Sequence, residues 1–456
     1  MYKQRILFLL IPFLLFYALP VSAVKKEENK WHEELVYYLE IDRFNNGDVT
    51  NDGSDFNLND PLGYHGGDLK GITNKLDYLQ EMGFSTIILS PVFNAKDPTG
   101  EQVENFKEVD EHFGSLKDMQ QLTKEAHERE MKVLMSFNAY HVQYLKDDLI
   151  DVVSWWVSES EIDGYYIDKV DTLEPDFWKL FIQTVKKENE NLYLVGSILH
   201  NAHLSAYKEL GFDSILNELF FKTSSETFTD VDLPFTSISE VVKNSSTAFS
   251  NYLDMTNTAR FTLKATENAQ HPGVRLKMAL SYMYSTPGTP IVYYGTEIAL
   301  NGGKPPENKP LMNFQSDEEL IDYIAKLAKA RKSLPSLTKG DYTVLYEKAG
   351  MIIFKRTYKG ESVIVAMNNT SQSQNVSIPA EEIGNEKELR GLIIGDIFHE
   401  ENRHYPFILD RETAEIYEIK EKTGLNLPFI SVFLIVPLLF VVFLVVAYKR
   451  GKRNEE

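Results

Sequence analysis

Asp163-Gly-Tyr-Tyr-Ile-Asp168-Lys-Val-Asp-Thr172 reads as a short buried strand that ends on a carboxylate. A glycine, an aromatic-aliphatic run, then Asp168 where the chain leaves the strand is how a barrel enzyme presents an acid at its reactive face. Outward from this stretch, β-rich runs alternate with amphipathic helical patterns. The strand candidates are Val36 to Ile41, Thr86 to Ser90, Val133 to Phe137, Gly164 to Ile167, Leu192 to Val195, Ser214 to Leu216, Asn251 to Leu253 and Ile291 to Tyr294. Between them lie Leu69 to Met82, Leu116 to Glu130, Asp147 to Ser158 and Asp176 to Lys187, with apolar residues recurring at three and four. Eight such alternations predict an α/β fold, a (β/α)8 TIM barrel over residues 31–335.

After Leu334-Pro335 the pattern changes. Tyr342 to Tyr346, Met351 to Thr357 and Ser362 to Met367 alternate in period two, which predicts a small C-terminal antiparallel β-sandwich domain over residues 336–420. A polar linker follows at 421–426, then an uncharged run from Leu427 to Tyr448. That run is long enough as a helix to cross ~30 Å of hydrocarbon, and Lys449, Arg450, Lys452 and Arg453 follow it, so a transmembrane helix with a basic cytoplasmic tail at 449–456 is expected. At the other end, Lys3, Arg5, the apolar run Ile6 to Leu19 and Val21-Ser22-Ala23 read as a signal peptide over residues 1–23. The expected localisation is the cell membrane, single-pass, with the domains outside. A formal charge of −20 argues against nucleic acid as a partner, and the absence of cysteine leaves no disulfides, which suits a Gram-positive bacterial surface.

The loop Asn45-Asn-Gly-Asp-Val-Thr-Asn-Asp-Gly53 is dense in oxygen side chains around glycines. It reads either as an ordinary Asx turn or as a cage for a hard cation. Tyr64-His-Gly-Gly-Asp-Leu-Lys-Gly-Ile72, Leu76-Asp-Tyr-Leu79, Asp110-Glu-His-Phe-Gly114 and Pro287-Gly-Thr-Pro-Ile-Val-Tyr-Tyr-Gly-Thr-Glu297 follow in order. Together they strongly resemble the α-amylase family of glycoside hydrolases, from about Val36 through the small β domain. The resemblance implies a structural Ca2+ held by Asn46, Asp48, Asn51, Asp52, the Gly66 carbonyl and Asp68.

It also implies a catalytic set, which this chain departs from. Asp168 matches the nucleophile position, but Tyr166 stands where the family has an Arg. Ser197, after Leu194-Val195-Gly196, occupies the general-acid position, and a hydroxyl is no proton donor tuned near neutral pH. In Tyr252-Leu-Asp-Met-Thr-Asn257, Thr256 replaces a His and Asn257 the third carboxylate. Ser136-Phe-Asn-Ala-Tyr-His141 keeps the family's His, while the excursion that relatives insert after strand three is absent.

These changes predict a membrane-anchored, non-hydrolytic member of the family that binds α-glucan or another carbohydrate. Its sugar-contacting candidates are Tyr64, Tyr140, His141, Tyr166, Asp168, Asn257 and Arg260; the alternative for the tyrosines is barrel packing and for Asp168 an inherited acid hydrogen-bonded structurally. Two other readings stand beside it. One is an accessory ectodomain for a membrane-protein partner reached through the span; the other is an active retaining hydrolase using Asp171 or Glu174 as a surrogate acid.

Overall fold

The computed structural model describes residues 31–422, apart from 143–144, 146–147, 201–203 and 246–247, and residues 435–445. Eight parallel strands close into a barrel in sequential order. They are β1 (Val36–Leu39), β2 (Thr86–Leu89), β3 (Lys132–Asn138), β4 (Gly164–Asp168), β5 (Tyr193–Gly196), β6 (Ser214–Leu216), β7 (Phe249–Tyr252) and β8 (Thr289–Tyr293). All eight expected strands carry boundaries within two residues of those observed at both ends; the first stops at Leu39 because Ile41–Phe44 turns into a short helix. Most of them read as apolar runs, as a parallel sheet covered on both faces favours, while β7 carries the buried Ser250 and Asn251.

Register places the site. Asn138 pairs with Asp168 across β3 and β4, and Ile167 pairs with Gly196 across β4 and β5. Ser197 therefore emerges beside Asp168, its amide donating to the Ile167 carbonyl at 2.9 Å. Gly164 permits this approach, because a Cβ there would lie 2.1 Å from the Tyr193 carbonyl oxygen. The Trp178 indole donates to the Val170 carbonyl at 2.7 Å and fixes the turn that follows Asp168.

A hairpin, Phe93–Ala95 with Val103–Val109, rises from the loop after β2. No strand was expected there, since Asn94-Ala-Lys-Asp-Pro-Thr-Gly100 breaks the alternation. Beyond the helices Glu319–Ser333 and Pro335–Lys339, a six-stranded antiparallel sheet begins at Asp341. A two-stranded antiparallel sheet of Gln374–Pro379 and His404–Leu409 packs on it, so that Val376, Ile378, Tyr405 and Phe407 meet Ile353, Ile364 and Tyr417 in one apolar core.

The expected transmembrane helix is corrected: among the described residues no helix is long and apolar enough to cross a membrane. The described part of the 427–448 run, residues 435–445, is helical. The signal peptide at 1–23 and the tail at 449–456 lie outside the described residues, as does most of the linker.

Candidate functional site

Asp168 ends β4 at the C-terminal mouth, with its side chain about one-sixth exposed. The Ser197 hydroxyl donates to its Oδ1 at 2.5 Å, and that same hydroxyl accepts the Lys169 amide at 2.9 Å. Lys169 takes a left-handed backbone, φ 56°, and its ammonium stands 3.7 Å from Asp168 Oδ2. The residue at the general-acid position is thus spent on holding the carboxylate still. Tyr166 is buried two residues earlier, edge-on to Tyr38 at 5.5 Å. Burial pushes its phenol well above the ordinary value, and the Asp168 charge adds to this, so it remains a neutral hydroxyl.

Two cavities open at the mouth. One, of about 330 Å³, is walled by Ser197, Glu218, Phe221 and Tyr252 among others; the second, of about 480 Å³, by Glu40, Ser136, Asn138, His141, Thr256 and Lys309 among others. Tyr166, Asp168, Lys169 and Asn257 line both, so Asp168 stands on the wall they share. His141 reaches the larger one from the short helix Ala139–Val142. Asn257 lies exposed on a loop whose Met255, Thr256 and Thr258 carbonyls all accept from the Asn308 amide.

The structure does not bring Tyr64 and Arg260 into these cavities. Tyr64 is buried, stacked on His112 at 3.7 Å, with its hydroxyl donating to Asp110 at 3.1 Å. The Arg260 guanidinium is fully buried, donating to the Asn308 and Tyr294 carbonyls beside Asp254. Asp171 is no proton donor either, because its carboxylate is buried and accepts the Leu199 and His200 amides at 2.7 and 2.9 Å. Glu174 is the N-cap of the helix Pro175–Glu188 and does not line either cavity.

Sequence reasoning missed Glu40, Glu218 and Lys309. The rule that found Asp168, an acid where a barrel strand ends, would have found the first two, since Glu40 follows β1 directly and Glu218 follows β6 after Asn217. Lys309 lies in an irregular loop and carries no such signal. It is 3.1 Å from Glu40 Oε1, to which the Tyr293 hydroxyl also donates at 2.7 Å. Burial opposes ionisation of Glu40, but Lys309 and Tyr293 outweigh it and hold the carboxyl below its ordinary range. Glu218 pairs with Lys222 at 2.7 Å.

The six residues expected to hold calcium divide. Asn46 donates to Asp52 at 2.7 Å beside Gly66, where a Cβ would collide with both side chains, and Asn51 Oδ1 is buried with no hydrogen-bond partner. An orphaned amide oxygen near a carboxylate fits a hard cation. Asp68 and Asp48 meet protein groups. Asp68 accepts the Gly47, Asp48 and Gly71 amides, capping the helix Leu69–Thr73, while Asp48 accepts from Thr50 and pairs with Lys70. Among the described residues no three His, Cys, Asp or Glu side chains gather as a metal cluster.

Residues 39–144 match the model of the α-amylase catalytic domain and residues 340–417 that of the α-amylase C-terminal domain. The α-amylase of Anoxybacillus is 40% identical, over 87% of this chain and 100% of its own, with a TM-score of 0.84. The α-amylase of Geobacillus thermoleovorans, solved with acarbose, is 36% identical over 87% of this chain and 100% of its own, with a TM-score of 0.81. The intracellular maltogenic amylase of Bacillus subtilis is 25% identical, over 76% of this chain and 71% of its own. The expected membrane-anchored, non-hydrolytic protein is corrected by these findings. Its relatives are named as amylases, and neither they nor the described helices support a single-pass surface location or a membrane-protein partner.

Proposed function

Since the chain belongs to the α-amylase family of glycoside hydrolases, we propose that its barrel mouth takes an α-linked glucan and that Asp168 is the carboxylate that acts on it. The observation that carries this reading is the place of Asp168 on the wall shared by two cavities, where sugar units on either side of one glycosidic bond would meet it. Acarbose in the Geobacillus relative is consistent with such a ligand.

Retaining cleavage needs attack on the anomeric carbon and a proton for the departing oxygen. Asp168 supplies the first. For the second, Ser197 offers no acid, and Glu218, the other carboxylate lining the smaller cavity, is paired with Lys222. Bonds whose leaving group departs without a proton are therefore the ones this site opens, with unactivated linkages slower by about 10²–10⁴. The test is turnover of an α-maltosyl fluoride or a dinitrophenyl α-maltoside, with maltoheptaose binding measured in parallel. Turnover abolished by Asp168→Asn supports the reading. Equal turnover in that variant removes Asp168 from the chemistry, and maltoheptaose that does not bind removes the glucan.

A structural calcium ion on Asn46, Asn51, Asp52 and the Gly66 carbonyl belongs to the same proposal, supported by the unpartnered Asn51 oxygen. Its role would be to tie the first loop to the second barrel unit.

A further inference from the structure

The smaller cavity offers no acid to a leaving group, yet two cations line it, Lys169 and Lys304. The other cations at the mouth are matched, since Lys309 stands 3.1 Å from Glu40 and Arg43 2.9 Å from Asp42. Lys304 lies exposed in the irregular segment after Ile298 and has no ion-pair partner among the described residues. Lys169 stands 3.7 Å from Asp168 Oδ2, and an ammonium has three N–H groups, so it keeps donors for a further acceptor. Glu218, the other carboxylate in the cavity, is paired with Lys222 at 2.7 Å. In a chain of formal charge −20, lysines that converge on one cavity give it a local field that receives an anion. An anion also answers the missing acid. A sugar hydroxyl departs well only with a proton, whereas phosphate departs as a stable anion. At neutral pH a phosphate monoester carries nearly two negative charges on three acceptor oxygens, and two ammonium groups match that charge.

We propose that the site acts on an α-glycosyl phosphate, with the glucan units in the larger cavity and the phosphate in the smaller one, held by Lys169 and Lys304. The inference rests on the glucan reading given above and names the leaving group. The Asp168 carboxylate forms a bond to the anomeric carbon as the bond from that carbon to the phosphate oxygen breaks, and the electron pair departs with inorganic phosphate. Water then attacks the same carbon, the carboxylate leaves, and the proton of the water passes to the phosphate. A phosphate group protonates near neutrality, its second pKa being about 6, so it supplies the base that Ser197 is not. The products are the reducing sugar and inorganic phosphate.

The experiment follows phosphate release from α-maltosyl phosphate and fluoride release from α-maltosyl fluoride by the full chain, by Asp168→Asn and by Lys304→Met. Lys304 is exposed, so its substitution spares the fold. The expected result is phosphate release by the wild type that is lost in Asp168→Asn. In Lys304→Met the rate on the phosphate relative to the rate on the fluoride should fall about tenfold or more, because a charge-assisted contact made only with phosphate is gone. A wild type that releases fluoride but no phosphate overturns the inference and leaves the glucan reading standing. Phosphate release that survives Asp168→Asn, or a ratio unchanged in Lys304→Met, overturns it as well. A wild type inactive on both substrates removes the chemistry on which both readings rest.

Discussion

Ser197 accepts a hydrogen bond from the Lys169 amide and donates one to Asp168, so the acid beside it is oriented but unaided. Restoring a carboxyl group there should restore proton supply. Two carboxyl groups sharing one site cannot both ionise easily, so one of them is held protonated toward neutral pH. Ser197→Glu is accordingly expected to raise cleavage of unactivated maltooligosaccharides by about 10²-fold, read as reducing ends released over time. An unchanged rate would mean that proton donation is not what the site lacks. A second residue with a defined pH response is His112, which bridges Asp110 at 2.8 Å and Asp55 at 2.9 Å. Burial works against its protonation, but the two carboxylates prevail and raise its pKa above the ordinary value. A histidine raised in the folded state adds stability in full below its unfolded pKa of about 6.5, and that contribution disappears as pH rises through the folded value. Melting temperatures of the wild type and His112→Gln should therefore differ most near pH 6 and converge toward pH 8.5.

The elements that carry these residues were legible in the chain because most barrel strands are short, largely apolar runs bounded by polar turns. Asp168 could be read for the same reason, as a charge at a strand end. Side-chain partnership was not legible. Nothing in Tyr64 or Arg260 as letters tells that one stacks on His112 and the other is buried against the Asn308 and Tyr294 carbonyls, since both depend on loops folding back over the barrel. Lys309 was hidden likewise in a loop that returns to β1. The Asx-rich loop after β1 shows the same division at the scale of an element. Its composition announced oxygen ligands, and what it could not tell is that Asp68 accepts the amides of Gly47, Asp48 and Gly71. An ion bound by Asn51 and Asp52 stabilises only the folded chain, by ~2.7 kcal/mol at a hundredfold excess over its dissociation constant. Calcium should thus raise the melting temperature by about a few degrees relative to a chelator, and Asn51→Ala should remove that difference. A chelator without effect on the wild type would take calcium out of the account.

At the scale of the whole molecule, barrel and β domain are joined by buried guanidinium groups. Arg331 donates to the carbonyls of His32, Tyr284, Thr286, Gly288 and Leu337, gathering the start of the barrel, its last strand and the connection to the β domain. Burial lowers its pKa to about 10, which still leaves it charged at neutral pH. Arg356, lowered by burial to about 9, crosses from the sheet to the Ser285 carbonyl, and Arg275 reaches the Asn369 side chain and Glu412 from the barrel side. The apolar core is continuous across the same seam, because Phe354, Val365 and Ile416 of the sheet belong to one cluster with the barrel residues Tyr282 and Phe228. Two domains sharing a core and its hydrogen bonds should unfold together, in a single calorimetric transition. Arg331→Met keeps the apolar stem but strands several buried carbonyls, each costing about 1–3 kcal/mol if water does not reach it. The expected outcome is a loss of about 3 kcal/mol or more with the transition still single. Two separated transitions in this variant would show that the seam, and not the shared core, is what couples the domains.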